Sequence, residues 1–277
     1  PPNKGALDDL IGKLDRVAAA NLAAAEYFHK MLSAPEGERG MAYLRDRGLE
    51  PATIRAFRLG FAPEDPSGLV AFAKTKGVDI DALDTAGILL KSKYGGPPYG
   101  RFGGRIIFPI IDQAARVLGF GGRILEGEGA KYVNSPETPI YHKSRVLFGL
   151  YQSRVALRKE RAAIVVEGYM DLISLHQAGI QNVLAASGTA FTTDQGRIIS
   201  RLARSVILLF DGDSAGIHAA ARSADTFLST NLAVSVSLLP GGHDPDSYVR
   251  AEGADALREH LGRAMDNGLS PEQAGEM

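Results

Sequence analysis

No cysteine occurs among the 277 residues. That excludes disulfides, a thiol nucleophile and a Cys-rich zinc site, and it fits a reducing compartment. Long apolar runs are missing too, since no stretch approaches the roughly 18 residues a membrane span needs. The N-terminus, Pro1-Pro2-Asn3-Lys4-Gly5, lacks the basic and then apolar regions of a signal peptide. These absences set the expectation of a cytoplasmic globular chain with no membrane partner. Internal repeats and low-complexity segments are also lacking. What is present, 45% hydrophobic residues at this length, fills one large domain or two ordinary ones.

Net charge is nearly absent, −1 at pH 7, but the balance conceals an asymmetry. Residues 1–90 hold 11 Lys and Arg against 13 Asp and Glu, residues 91–161 hold 13 against 5, and residues 162–277 hold 7 against 14. A basic middle beside an acidic end is expected where one surface holds a polyanion and another holds metals. Two solvated faces would give the same totals.

The segment 6–32 carries Leu10, Leu14, Val17, Ala18, Leu22 and Ala25 at helical spacing and predicts an amphipathic helix ended by Pro35 and Gly37. Gly40 to Phe61 reads as two short helices, broken at Gly48 and restarted at Pro51. Helices follow at about 67–76 and 79–86. Between 94 and 134 the texture turns to Gly, aromatic and β-branched residues. The runs 105–110 and 116–125 read there as antiparallel strands joined at Asp112-Gln113. Residues 135–161 read as a polar helical bridge. After 162, strands at 162–166, 182–186, 205–210 and 233–239 alternate with helices near 169–178, 192–203, 214–229 and 245–251. That alternation implies right-handed crossovers and a mostly parallel sheet. The fold class expected is therefore α/β: a mixed α/β N-terminal subdomain (1–134), the bridge (135–161), a subdomain with a mostly parallel sheet flanked by helices (162–250), and the start of a truncated helical region (251–277).

Six acidic residues stand at three turns that each close an apolar run: Glu167 and Asp171, Asp211 and Asp213, Asp244 and Asp246. In open α/β sheets, ligands bind outside the carboxyl ends of the strands. Glu167 directly follows Ile164-Val165-Val166, and Asp211 directly follows Ile207-Leu208-Leu209-Phe210, so both belong on that edge. Carboxylates gathered there repel one another and resist desolvation unless cations share the site. Asp213 lies across Gly212, which leaves room for an ion or phosphate, and Asp171 lies one helical turn beyond Glu167. Singly, Asp-Gly-Asp is a turn, Asp244 before Pro245 is an N-cap, and Tyr169 is a packing residue. Together, three acidic turns at three strand ends point to divalent-metal chemistry on phosphates.

The strings Val165-Val166-Glu167-Gly168-Tyr169-Met170-Asp171, Phe210-Asp211-Gly212-Asp213-Ser214-Ala215-Gly216 and Leu239-Pro240-Gly241-Gly242-His243-Asp244-Pro245-Asp246 resemble a Toprim domain. Within that fold they resemble the bacterial DnaG-type primases. The resemblance continues upstream in Arg101-Phe102-Gly103-Gly104-Arg105, Gly119-Phe120-Gly121-Gly122-Arg123 and Lys131-Tyr132-Val133-Asn134, and it spans about residues 40–260. It implies a metal-dependent nucleotidyltransferase that synthesises RNA primers from ribonucleoside triphosphates on single-stranded DNA in the bacterial cytoplasm, associated with the nucleoid. Mg²⁺ or Mn²⁺, more than one ion, is implied at Glu167, Asp211 and Asp213, which are also the implied catalytic residues. Asp171, Asp244 and Asp246 are implied as outer ligands or holders of metal-bound water. Arg47, Arg101, Arg105, Arg123, Lys131, Tyr132 and Asn134 are implied to contact template or nucleotide. Independently of the family, an arginine on a glycine-flanked strand can hold phosphate with two bonds, and Tyr132 can stack on an unpaired base.

The chain departs from such a primase in having no Cys for a zinc module, so no zinc is expected. It also stops at Met277, which suggests an excised core that would meet a replicative helicase only through regions missing here. A Toprim nuclease or topoisomerase shares the acidic pattern but leaves the basic strings without a role. A recombination mediator of this fold usually brings Cys-rich zinc ligands. An aspartate phosphotransferase would leave Glu167 unused. None of the six histidines has ligand spacing. His243 is expected beside the site, and Arg158-Lys159-Glu160-Arg161 reads as a charged helix face.

Overall fold

The Ala-rich opening segment forms a 29-residue helix, α1 (Lys4–Leu32), in the computed structural model. The structure describes residues 4–92, 95–186, 191–212, 216, 223, 226–227 and 230–266. The chain divides into two compact units, Pro1–His142 and Lys143–Met277.

The first unit is built on an antiparallel sheet of order β1-β4-β5-β6, made of β1 (Gly60–Ala62), β4 (Arg105–Ile111), β5 (Val117–Ile124) and β6 (Tyr132–Asn134). A separate short pair, β2 (Leu89–Leu90) with β3 (Tyr99–Gly100), lies outside it. The β4–β5 hairpin arises where two apolar β-branched runs flank Asp112. The Asp112 carboxylate accepts from the backbone N–H groups of Ala114 and Arg116, both at 2.9 Å, and closes the turn. Every residue of β4 is buried. Helix α1 lies against one face. The buried Asn21 amide donates to the carbonyls of Val117 (3.2 Å) and Leu118 (2.7 Å), and a Cβ on Gly60 would stand 2.6 Å from the Phe28 carbonyl carbon. Helix α2 (Glu38–Asp46) covers the other face, with Gly40 close to Phe61 and Ile106. The short helices α3 (Pro51–Ala56), α4 (Ser67–Thr75) and α5 (Ile80–Thr85) complete the unit.

Two elements differ from the sequence-based expectation in this unit. Residues 60–61, expected at a helix end, form β1, and nothing local in the sequence marks β6. Each is three residues long. A run that short shows no period of its own, and both are strands only because β4 or β5 pairs with them.

The second unit is a parallel sheet of order β10-β9-β7-β8, made of β7 (Ala162–Val166), β8 (Val183–Ala185), β9 (Ser205–Phe210) and β10 (Ala233–Leu238). Helices α6 (Leu150–Glu160), α7 (Tyr169–Gln177), α8 (Thr193–Ser200) and α9 (Pro245–Asp266) flank it, α9 being broken at Gly253 (φ 84, ψ 170). Val165, Leu184, Val206, Leu208 and Phe210 form its core with Leu157, Ile199 and Phe227. The mixed α/β unit followed by a mostly parallel sheet is the fold class expected, and the alternation after residue 162 is as read. The helix expected over 214–229 lies mostly outside the described residues. The bridge over 135–161 holds one short 3-10 turn, Lys143–Arg145, and is α-helical only from Leu150. Pro136 and Pro139 stop an earlier start, and Thr138 and Tyr141 instead exchange backbone bonds at 3.0 and 3.3 Å. Among the described residues no helix is long and apolar enough to cross a membrane.

Candidate functional site

The carboxyl edge of the parallel sheet collects the acidic turns. β7 ends at Val166 and β9 at Phe210, so Glu167 and Asp211 are the first residues past two neighbouring strands. Glu167 is exposed and Asp211 half-buried. The loop after β9 fits tightly beneath the loop after β10: the Leu239 N–H donates to the Phe210 carbonyl at 3.1 Å, and a Cβ on Gly212 would fall 2.1 Å from the Leu239 carbonyl oxygen. No residue but glycine fits there without moving the backbone.

Asp171 and Asp244 each cap a helix. The Asp171 carboxylate accepts from the Gly168 N–H (3.0 Å) at the start of α7, and Asp244 Oδ1 accepts from the Ser247 N–H (2.7 Å) at the start of α9. The two are nonetheless electrostatically close. Burial, then the charges of Asp244 and Asp211, push the Asp171 carboxyl up to about 7 from its ordinary 3.8. Asp246 is buried, and its oxygens are engaged by the Ser174 hydroxyl at 2.6 Å and by Arg250 Nε and Nη2 at 3.1 and 3.3 Å. The Ser174 bond ties α7 to α9. His243 lies 3.2 Å from Ser247 Oγ, beside the site as expected. Asp213 lies outside the described residues.

Among the described residues no group of three or more acidic or histidine side chains is arranged closely enough to hold an ion. Fit to a divalent ion therefore rests on the donor set. The donors at this edge are carboxylates, the hard oxygen ligands that Mg²⁺ and Mn²⁺ prefer, and few protein ligands suit an ion that keeps waters and shares substrate phosphates. A cation would relieve the mutual repulsion that raises Asp171. The residues present fit such an ion.

The basic residues of the first unit are built into its sheet. Arg105 is buried, and its Nη1 donates to the carbonyls of Ala130 (2.9 Å) and Gly122 (3.4 Å). Desolvation lowers its pKa. Arg101 Nε donates to the Gly87 carbonyl at 2.8 Å. Arg47 and Arg123 converge on one ring: Arg47 Nε donates to Tyr43 Oη at 3.0 Å, and the Arg123 guanidinium sits 4.2 Å from the Tyr43 centroid. The Nε of Arg123 is buried without a partner among the described residues. Tyr132 stands opposite Arg123 in the β5–β6 ladder, with its ring 6.4 Å from that of Phe108, and Asn134 stands opposite Gly121. Lys131, next to Tyr132, is exposed. The structure thus gathers Arg47, Arg123, Tyr132 and Asn134 on one side of the sheet, and it gives Arg101 and Arg105 backbone carbonyls to hold. Tyr43 was missed by sequence reasoning. The available signal was its i, i+4 spacing to Arg47 on a short helix.

Comparison with known proteins places both units. Residues 27–154 match the DNA primase catalytic core, N-terminal domain, and residues 164–249 match a Toprim-like domain. A DNA primase from Halalkalibacterium halodurans is 40% identical over 239 residues, covering 86% of this chain and 40% of that protein. A crystal structure of a DNA primase domain from Pseudomonas aeruginosa is 39% identical with a TM-score of 0.83, covering 90% of this chain and 78% of that one. A DnaG primase catalytic domain bound to ssDNA is 34% identical with a TM-score of 0.82, covering 95% and 87%. The chain spans less than half the length of the curated primases it matches. An antiparallel unit with a basic face, a parallel unit with an acidic carboxyl edge, and these matches across both place the chain in the bacterial DnaG-type DNA primase family, as its catalytic core.

Proposed function

We propose that the chain synthesises short RNA on single-stranded DNA by divalent-metal-dependent nucleotidyl transfer. The observation that carries this reading is the convergence of acidic turns after β7, β9 and β10, which raises the Asp171 carboxyl through the charges of Asp244 and Asp211. A related catalytic domain has been solved with ssDNA, which supports a single-stranded template here.

Glu167 and Asp211, with Asp213, would hold Mg²⁺ or Mn²⁺. Bound there, the ions would lower the pKa of the attacking 3′-hydroxyl and offset charge on the triphosphate and departing pyrophosphate. Asp171 and Asp244 would hold metal-bound water, Asp244 while one of its oxygens caps α9 and Asp171 while its carboxylate accepts from the Gly168 and Asp246 N–H groups. Asp246 positions rather than ligates, because Ser174 and Arg250 already engage its oxygens. Gly212 lets the loop that carries Asp211 sit under the Leu239 carbonyl. In the first unit, Arg47, Arg123 and Lys131 supply charge for the template backbone, Tyr132 supplies a stacking surface, and Asn134 supplies hydrogen bonds to sugar or base. Arg105 ties the Gly122 and Ala130 carbonyls beside them, and Arg101 holds the Gly87 carbonyl.

The test is incubation with single-stranded template, ribonucleotides and Mn²⁺. Short RNA is expected, and it is lost in Asp211→Asn. DNA cleavage products without RNA would assign the same carboxylates to a nuclease.

A further inference from the structure

The amino edge of the parallel sheet, opposite its acidic carboxyl edge, carries a repeated basic pattern. Arg158-Lys159-Glu160-Arg161 ends α6 and leads into β7, and Arg201-Leu202-Ala203-Arg204 ends α8 and leads into β9. β7 and β9 are neighbours with Ala162 in register with Ser205, so Arg161 and Arg204 stand side by side. The Arg204 N–H donates to the Arg161 carbonyl at 2.7 Å. The four arginines and Lys159 are exposed. None of the five makes an ion pair among the described residues.

That arrangement needs a cause. Cations in the last turn or at the C-cap complement the helix dipole, which accounts for Arg158, Arg161 and Arg201. It does not account for Arg204, which lies past the end of α8. Like charges directly opposite on adjacent strands are destabilising. Arg161 moreover holds a left-handed backbone (φ 54), a conformation that favours glycine. Residues 162–277 hold 14 acidic side chains, yet none of the described ones is used to neutralise this edge.

We infer that the amino edge of the second unit binds the phosphate backbone of a nucleic-acid duplex through Arg158, Arg161, Arg201 and Arg204. No aromatic residue occurs in either segment, so the edge lacks the stacking platform on which single strands are held. It reads phosphate only. A duplex presents phosphate charge at about twice the axial density of a single strand. This surface is independent of the metal chemistry proposed above.

The test uses the full chain in EDTA and follows fluorescence anisotropy of a blunt DNA duplex, an RNA–DNA hybrid of the same sequence, and the single strand. The double variant Arg158→Gln/Arg201→Gln alters only exposed helix-end positions, and the quadruple variant adds Arg161→Gln and Arg204→Gln. Duplex affinity should fall about 10-fold or more in the quadruple variant at low salt, with the slope of log K against log salt dropping by about 0.9 for each phosphate no longer neutralised. Single-strand affinity should change less than about 2-fold, and lysine at all four positions should restore duplex binding. Equal loss for duplex and hybrid assigns the edge to any duplex, and a larger loss for the hybrid assigns it to the newly made product; both support the inference. Unchanged duplex affinity and slope in both variants would overturn it. So would a polyglutamate peptide that binds the wild-type edge more tightly than the duplex does.

Discussion

The two sheets carry charge in opposite ways. In the antiparallel unit the candidate cations are woven into the fold. Arg105 is buried and bonded to the Ala130 and Gly122 carbonyls, Arg101 holds the Gly87 carbonyl, and Arg123 lies over the Tyr43 ring. A cation packed into that sheet exchanges water for carbonyl and ring contacts. In the parallel unit Glu167 and Asp211 stand on the loops that follow β7 and β9 at the carboxyl edge. Asp246 is the exception, buried and bound to Ser174 and Arg250. Substitutions in the first unit should therefore mix stability with binding, while those at the carboxyl edge should separate activity from stability.

The largest effect should come from that edge. Glu167→Gln or Asp211→Asn is expected to lower primer synthesis on the order of 10³-fold, with the thermal midpoint nearly unmoved. A matching drop in midpoint would erase the contrast between the sheets. Asp246→Ala should behave oppositely for its unit, losing about 3 kcal/mol in urea unfolding because Ser174 and Arg250 are left without their acceptor. In the first unit Arg105→Met should lose about 2 kcal/mol by the same measurement. Arg123→Ala should lose about 1 kcal/mol, the cation–π share, and lower the salt slope of single-strand binding by about 0.7.

The smallest effect concerns pH. The folded Asp171 carboxyl titrates near 7, above its unfolded 3.8, so the folded state binds the proton more tightly. Its charged form is the disfavoured one. No penalty exists below about pH 4, and metal-free stability falls as pH rises toward 7. Asp171→Asn should remove that slope from pH-dependent unfolding, and an unchanged slope would place the titration on another group.

The parallel half was the more legible from sequence. β7, β8 and β9 are apolar runs, and β7 and β9 close on acidic turns, so strand ends could be read locally. Glu167 and Asp211 could be placed on the carboxyl edge for that reason. The first unit yielded its hairpin, because Arg105–Ile111 and Val117–Ile124 flank a turn that Asp112 closes. It did not yield β1 or β6, whose pairing is set by distant partners. Nor could sequence tell an arginine that lies over an aromatic ring from one that holds carbonyls. Arg105 and Arg123 both border glycine and differ only in what the fold places around them. Asp246 looked like its neighbour Asp244, and its burial against Ser174 depends on a contact 72 residues away in sequence.

The most direct test is a calorimetric Mn²⁺ titration of the wild-type chain and the Glu167→Gln, Asp211→Asn and Arg123→Ala variants at pH 7.5. Mn²⁺ should bind the wild-type and Arg123→Ala proteins alike and be lost or weakened at least about 10-fold in the two carboxylate variants. Equal Mn²⁺ affinity in all four proteins would contradict the assignment of the metal site to the carboxyl edge of the parallel sheet.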